Sequence, residues 1–291
     1  MKQKRSAFLF WNGSYNESDF VVFGVPDDSG SAYRKGSRDA PDGIRLTVNS
    51  NEIGGVVLKN GASIFEPGMS RFSAKVHDAG NFRRKGLKKL NRFAKEGKVI
   101  VGIGGDHSIT ADILEATRPE GKWGIVYFDA HPDFISSRGR YFGSVMHDVS
   151  KLDGFDPSSS ILIGVRTPEE EEIENIEALG IRTITPQDIE KNGINRVAAQ
   201  MRKIMTKKFY ISIDMDVVDP AYAPGVTEPE PGGISSSQLI YLIESIASRK
   251  TFGVDVTEVV PKYDRDGITM YLAYRVLLHA INSISNSNAK A

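Results

Sequence analysis

At 291 residues the chain is long enough for one large α/β domain with a substantial core, and its 37 basic residues balance 37 acidic ones, so no net charge draws it to nucleic acid or to an anionic membrane. It has no cysteine, which excludes a disulfide framework, a thiolate-bound metal and a cysteine nucleophile, and which fits a cytoplasmic protein. The expected partner is a small molecule.

The first five residues, Met1, Lys2, Gln3, Lys4 and Arg5, look like the start of a signal peptide, but the apolar run over 7–11 is too short for its hydrophobic region and meets Asn12 and Gly13. No later segment approaches about 18 consecutive apolar residues, so no membrane-spanning helix is expected. Phe20, Val21, Val22 and Phe23 read as a strand ending at Gly24, and the Gly-, Ser- and Asp-rich stretch over 27–42 reads as a long loop of the kind that walls a cleft. A short helix starts over 40–45. Between 50 and 80 the pattern is weak, with a strand at Val56, Val57 and Leu58 and a turn over 77–80 in which His77 is structural. From 82 to 96, Leu87, Leu90 and Phe93 recur among lysines and arginines and predict a surface amphipathic helix. Residues 98–103 form the next strand, which runs into Gly104, Gly105, Asp106, His107 and Ser108 and then a helix over 109–116. A histidine at a strand's carboxyl end is often only buried and hydrogen-bonded; flanked by glycines and an aspartate, His107 becomes a candidate ligand.

The strand over 124–127 delivers Asp129, His131 and Asp133. Near-extended backbone sends alternate residues to one side, so the three can converge. Carboxylate, imidazole and carboxylate without thiolate suit a borderline-hard divalent ion such as Mn²⁺ better than Zn²⁺, Fe²⁺ or Ni²⁺. Taken alone the motif fits a solvated turn with a capping aspartate equally well, so partners elsewhere must decide. His147 can return to the cleft across the polar loop over 135–144. A strand over 160–164 follows, and Glu169 to Glu172 read as solvated charge at a helix N-terminus after Pro168. Next come a strand over 181–184 and helices over 186–191 and 196–205. The strand from 209 ends in Asp214 and Asp216, two like charges that are costly in an apolar strand unless a cation compensates them. The Pro- and Gly-rich stretch over 223–233 suits a rigid cleft wall. A helix over 235–248, a strand over 252–256 ending at Thr257 and Glu258, and a helix over 267–284 with a packed His279 complete the chain. This alternation predicts one α/β domain over 1–291, three-layer α/β/α with a mostly parallel central sheet. Ligands bind beyond the carboxyl ends of such strands, where His107, Asp129, Asp214 and Glu258 all fall.

Three of these motifs resemble those of the ureohydrolases, the family of arginases and agmatinases. Gly104-Gly105-Asp106-His107-Ser108 resembles its GGDHS element, Asp129-Ala130-His131-Pro132-Asp133 its DAHxD element, and Ser212-Ile213-Asp214-Met215-Asp216 its S-x-D-x-D element, in the same order and at agreeing spacing. The likeness runs from Gly24 to the last helix, and the segment over 219–233 is closer to agmatinases than to arginases. The resemblance implies an arginase-like fold and two Mn²⁺ ions. One is held by His107, Asp129, Asp133 and Asp214, the other by Asp129, His131, Asp214 and Asp216, with Asp129 and Asp214 bridging. The family's reaction is hydroxide attack on a guanidinium carbon, followed by collapse to urea and an amine. By the same resemblance Glu258 pairs with the guanidinium and Asp133 can orient the hydroxide. His147 is the candidate proton donor to the amine, although its counterpart in the family is usually followed by glycine and here by Asp148. The loop over 135–144 lacks the asparagine with which arginases hold an α-carboxylate, which favours agmatine, with urea and putrescine as products. Arg138 and Arg140 in that loop keep open a guanidino acid such as 4-guanidinobutyrate, and arginine or formiminoglutamate would use the same metals. A non-catalytic ureohydrolase-like binding protein is disfavoured because all six ligands are present. The family likeness also implies a homo-oligomer, a trimer or hexamer.

Overall fold

Runs of β-branched and aromatic residues, buried on both faces, build an all-parallel sheet of eight strands. The computed structural model describes residues 13–49 and 74–288; the N-terminal basic run and the strand expected at Val56, Val57 and Leu58 lie outside the described residues. In chain order the strands are β1 (Phe20–Gly24), β2 (Val76–Asn81), β3 (Val99–Ile103), β4 (Trp123–Phe128), β5 (Ile161–Ile163), β6 (Arg182–Ile184), β7 (Lys208–Asp214) and β8 (Thr251–Thr257). Across the sheet they lie in the order β2-β1-β3-β8-β7-β4-β5-β6.

The helices are α1 (Ala40–Asn49), α2 (Leu90–Lys95), α3 (Ile109–Thr117), α4 (Val145–Val149), α5 (Glu170–Leu179), α6 (Pro186–Asn192), α7 (Ile194–Ile204), α8 (Ser236–Ile246) and α9 (Ile268–Asn288). Capping boxes start three of them, Glu169 with Glu172 at α5, Thr185 with Asp188 at α6 and Ser235 with Gln238 at α8. Because side chains alternate along a strand, Phe20, Val22, Val126 and Phe128 join one core with residues of α1, α7, α8 and α9. Phe23, Ile125 and Tyr127 join a second core with residues of α2, α3 and α4. The result is the expected three layers. β3 and β4 are consecutive here, yet β8 and β7 lie between them. The carboxyl ends of β3, β8, β7 and β4 therefore stand side by side, at the kind of switch in strand order where open α/β sheets bind ligands.

Two local expectations fail for identifiable reasons. The turn expected over 77–80 is β2, paired in parallel with β1 through Val21 and His77. Its polar residues are tolerable because Arg45 from α1 reaches Asp78 with Nε and Nη2, each at 2.8 Å, and Asn81 with Nη1 at 2.6 Å. His77 is structural as expected, with Nδ1 2.9 Å from the Gly13 carbonyl. The single helix expected over 82–96 is a 3₁₀ segment, Arg84–Lys89, followed by α2. Only Leu87 lies in the 3₁₀ segment, while Leu90 and Phe93 belong to α2, so the three-residue spacing crosses the junction between the two.

The side chains of Arg45 and Asp78 are 4% and 5% exposed, so removing Arg45 takes the guanidinium away from a buried carboxylate. Arg45→Ala is expected to destabilise the protein by about 3–5 kcal/mol in denaturant unfolding. A loss below about 1 kcal/mol would show that the pair does not hold β2 on the sheet.

Candidate metal centre

The turn after β3 sets the first ligand. A Cβ on Gly105 would lie 1.8 Å from the Asp27 carbonyl oxygen, an approach only glycine allows. The Asp106 N–H donates to that oxygen at 2.9 Å, and the Asp106 carboxylate accepts from the N–H groups of Gly30 at 2.6 Å and Ser31 at 3.2 Å. The long loop is thereby moored to the end of β3, and His107 is fully buried.

Hydrogen-bond polarity orients the His107 ring. Nε2 lies 2.8 Å from Ser212 Oγ, and the serine hydroxyl donates to Asp255 Oδ1 at 2.7 Å. Thr110 and Tyr210 donate to Asp255 Oδ2 at 2.8 and 3.0 Å. With the serine proton committed, Nε2 donates to Ser212, which leaves Nδ1 as the nitrogen that faces the carboxylates and would offer its lone pair to a cation. Nδ1 faces Asp129 Oδ2 at 3.0 Å, Asp214 Oδ2 at 3.2 Å and Asp133 Oδ2 at 3.6 Å. Tyr127 stacks on the same ring, 4.7 Å between centroids, and donates its hydroxyl hydrogen to Asp133.

The loop after β4 supplies the rest. His131 Nδ1 stands 3.2 Å from Asp216 Oδ2 and 3.4 Å from Asp129 Oδ1. Two groups result, His107 with Asp129 and Asp133, and Asp129 with His131 and Asp216, each with ligand atoms within 4.8 Å of one another. Asp129 is common to both. Asp214 stands with the first group through His107, and its other oxygen accepts the Asp216 N–H at 2.9 Å. All six residues expected as ligands are thus gathered at the ends of β3, β4 and β7.

Two of the three non-glycine residues with positive φ among the described residues fall in the same place. Asp133 and Glu258 have φ of 55° and 62°, in the left-handed region, which costs about 1–3 kcal/mol for each non-glycine residue. The Asp133 carbonyl is clamped by the N–H groups of Met146 at 2.9 Å and His147 at 3.2 Å. The next residue, Phe134, donates its N–H to Glu172 Oε1 at 3.0 Å. This corrects the reading of Glu172 as solvated: it is buried, and its other oxygen caps α5 through the Glu169 N–H at 2.9 Å.

Burial and then neighbouring charge push the carboxyls of Asp133 and Asp214 well above their ordinary range, and Asp216 upward for the same reasons. Burial would also raise Asp129, but hydrogen bonds to His107 and His131 outweigh it and hold that carboxyl down. Burial lowers both histidines, and the carboxylates around them raise both more strongly. Four carboxylates crowded in a low-dielectric site around two imidazoles need additional positive charge. Nitrogen and oxygen donors with no sulfur fit a pair of divalent cations of the Mn²⁺ type.

Glu258 lies against this cluster. Its Oε1 accepts the His107 N–H at 2.7 Å, and Oε2 accepts from the Thr227 hydroxyl. Burial, reinforced by the charge of Asp106, pushes its carboxyl up to about 8. His147 opens α4 next to Asp133 along the backbone, but its ring is half-buried, with Nδ1 3.4 Å from Lys151 Nζ, and does not join the donor cluster. Arg140 is committed elsewhere, to Asp112 at 2.7 Å, Glu115 at 3.0 Å and Asp148 at 2.9 Å. Arg138 is exposed. His279 is packed as expected, 2.8 Å from Glu244. The supporting residues Tyr127, Thr227 and Asp255 escaped the sequence reading. A lone aspartate between Val254 and Val256 in an apolar strand was the available signal for Asp255.

The model of the Arginase family matches residues 18–282. Proclavaminate amidinohydrolase of Streptomyces clavuligerus is 33% identical over 277 residues, covering 89% of this chain and 85% of its own. The agmatinase of Escherichia coli strain SE11 is 30% identical over 279 residues, covering 91% and 87%. The crystal structure of the agmatine ureohydrolase of Thermoplasma volcanium matches with a TM-score of 0.82 at 30% identity, over 100% of this chain and 97% of that one. The chain belongs to the arginase family, the ureohydrolases, and its fold is theirs. It is accordingly a hydrolase of C–N bonds.

The titration directions set a pH dependence. A carboxyl raised in the folded state binds more protons folded than unfolded above about pH 4, so its contribution to stability is lost as pH rises toward the folded pKa. The raised histidines act in the same sense, their contribution being complete below about pH 6.5 and lost as pH rises through the folded value. Asp129, held down, acts oppositely but only at acid pH. Metal binding needs deprotonated ligands and strengthens with pH. Metal-stripped protein should therefore gain more melting temperature from Mn²⁺ at about pH 8 than at about pH 6. An equal gain at both would contradict these electrostatics.

Proposed function

We propose that this centre hydrolyses agmatine to urea and putrescine. The reading is carried by the convergence of His107, Asp129, His131, Asp133, Asp214 and Asp216 around a common Asp129, with Glu258 buried against them. One cation would be held by His107, Asp129, Asp133 and Asp214, the other by Asp129, His131, Asp214 and Asp216. Two such ions would bring the pKa of a shared water near neutrality and so supply a nucleophile.

The chain's own side chains do the rest. Glu258 accepts the N–H groups of the guanidinium, whose planar cation matches a carboxylate and brings its raised pKa back down. Asp133, fixed by Tyr127 and by its clamped carbonyl, accepts a hydrogen bond from the attacking water and orients it. Cleavage of the bond between the guanidinium carbon and the tail nitrogen releases urea, and the departing amine needs a proton. His147, tied to Asp133 through its backbone, supplies it from the start of α4.

The tail is read from what surrounds the loop over 135–144. Of its two arginines, Arg140 is spent on Asp112, Glu115 and Asp148, which removes one of the two candidates for binding a carboxylate tail. That favours agmatine over a guanidino acid. A second reading, a different tail on the same centre, is favoured by the proclavaminate amidinohydrolase, as similar to this chain as the agmatinase is.

Release of urea from agmatine, arginine and 4-guanidinobutyrate, and of formamide from formiminoglutamate, separates these readings. Agmatine should give the highest kcat/KM, and a higher value for another substrate would replace it. Asp129→Asn should abolish turnover and lower the metal content, since Asp129 belongs to both donor groups. His147→Asn should keep the metals and lower kcat by about 10²-fold or more; an unchanged kcat would remove it from the reaction.

A further inference from the structure

Exposure marks the entrance to the centre. His107, Asp129, Asp133, Asp214 and Asp216 are at most 4% exposed, whereas the side chain of His131 is 24% exposed and that of Glu228 beside it 30%. Solvent, and hence a substrate tail, meets the cluster on the side of His131 and Glu228. Glu228 is held there by its neighbours. Val226 pairs with Val259, the Thr227 N–H donates to the Glu258 carbonyl at 3.1 Å, and the Thr227 hydroxyl donates to the Glu258 carboxylate. The residue that follows this pinned pair is carried to the rim.

The Glu228 carboxylate has no lysine or arginine partner among the described residues. Its one basic neighbour is His131, whose Nε2 is 3.8 Å away, beyond direct hydrogen-bond reach. His131 is itself shared, with Nδ1 3.2 Å from Asp216 Oδ2 and 3.4 Å from Asp129 Oδ1, so one imidazole serves three carboxylates. The rest of the rim is acidic. Asp129, Asp216 and Glu230 bear on Glu228, while Glu169 and Glu172 join Glu228 in bearing on the half-buried Tyr141. In such company a half-buried carboxylate has only the shared His131 as a basic neighbour among the described residues. Arg166, which reaches this segment, is spent on the carbonyls of Asp216 and Glu230, each at 2.6 Å.

We propose that Glu228 is the specificity residue for the substrate's tail, a carboxylate that receives a positively charged group such as a primary ammonium while Glu258 holds the guanidinium. The inference rests on the agmatine reading and gives it a residue. A cationic tail supplies the charge that the rim lacks; a carboxylate tail meets repulsion from Glu228 and Glu230.

The test compares agmatine with butylguanidine, which has the same guanidine and a tail without the ammonium. Glu228→Gln should retain the wild-type metal content and lower the ratio of kcat/KM for agmatine over butylguanidine about tenfold, mainly through KM. In the wild type, putrescine should inhibit about tenfold more strongly than butylamine, a readout that needs no variant. Equal inhibition by the two amines overturns the proposal. So does an unchanged substrate ratio in the variant, or an equal loss on both substrates with loss of metal, which would make Glu228 a positioning residue for His131. A wild type that prefers butylguanidine refutes the agmatine reading itself, whereas a wild-type preference for agmatine that survives the substitution refutes only the role of Glu228.

Discussion

The mutual repulsion of Asp129, Asp133, Asp214 and Asp216, all buried at the ends of neighbouring strands, is the constraint that the rest of the molecule answers. Carboxylates at this spacing in a low-dielectric site cannot all remain ionised without added positive charge. The all-parallel sheet brings them together, because parallel strands place every carboxyl end on one edge and the strand order sets β3, β8, β7 and β4 side by side. A protein that only needed stability would fill these positions with apolar residues. Their retention, with strained backbone at Asp133 and Glu258, is what a site for cations requires.

Around the donors a second set of contacts decides how each one faces. The relay from His107 through Ser212 to Asp255 leaves Nδ1 facing the carboxylates of the cluster, and Asp255 in turn accepts from Thr110 and Tyr210. Tyr127 covers the same ring and steers Asp133. Such outer partners commonly govern metal affinity as strongly as ligand identity does. The same economy appears at Glu258, whose N–H donates to the Gly105 carbonyl at 2.9 Å while its carboxylate caps the His107 N–H. The ends of β3 and β8 are thereby locked to each other.

The donor cluster was legible in the sequence because three apolar runs end in histidine and aspartate donors, but the expected extended backbone does not gather them: Asp216 lies in a 3₁₀ turn after β7 and Asp133 in the left-handed region. The strands themselves were legible from such runs, apart from β2, whose polar residues depend on Arg45 from a distant helix. A local pattern cannot register a partner brought in from elsewhere in the chain. Glu172 and Arg140 show the same limit. An acidic run before a helix reads as solvated until Phe134 is seen to need an acceptor, and a loop arginine reads as free until Asp112 and Asp148 close on it. Leu87, Leu90 and Phe93 failed differently, since a single stripe spans two elements, a 3₁₀ segment holding Leu87 and an α-helix holding Leu90 and Phe93.

Family membership, the hydrolytic class and the donor cluster all support the proposal that two cations would share Asp129. Electron paramagnetic resonance of the manganese-loaded protein tests it most directly, because ions sharing a carboxylate are magnetically coupled. The account predicts an exchange-coupled signal from a manganese pair that collapses to that of isolated ions in Asp129→Asn. A signal from isolated manganese alone in the saturated wild-type protein would contradict it.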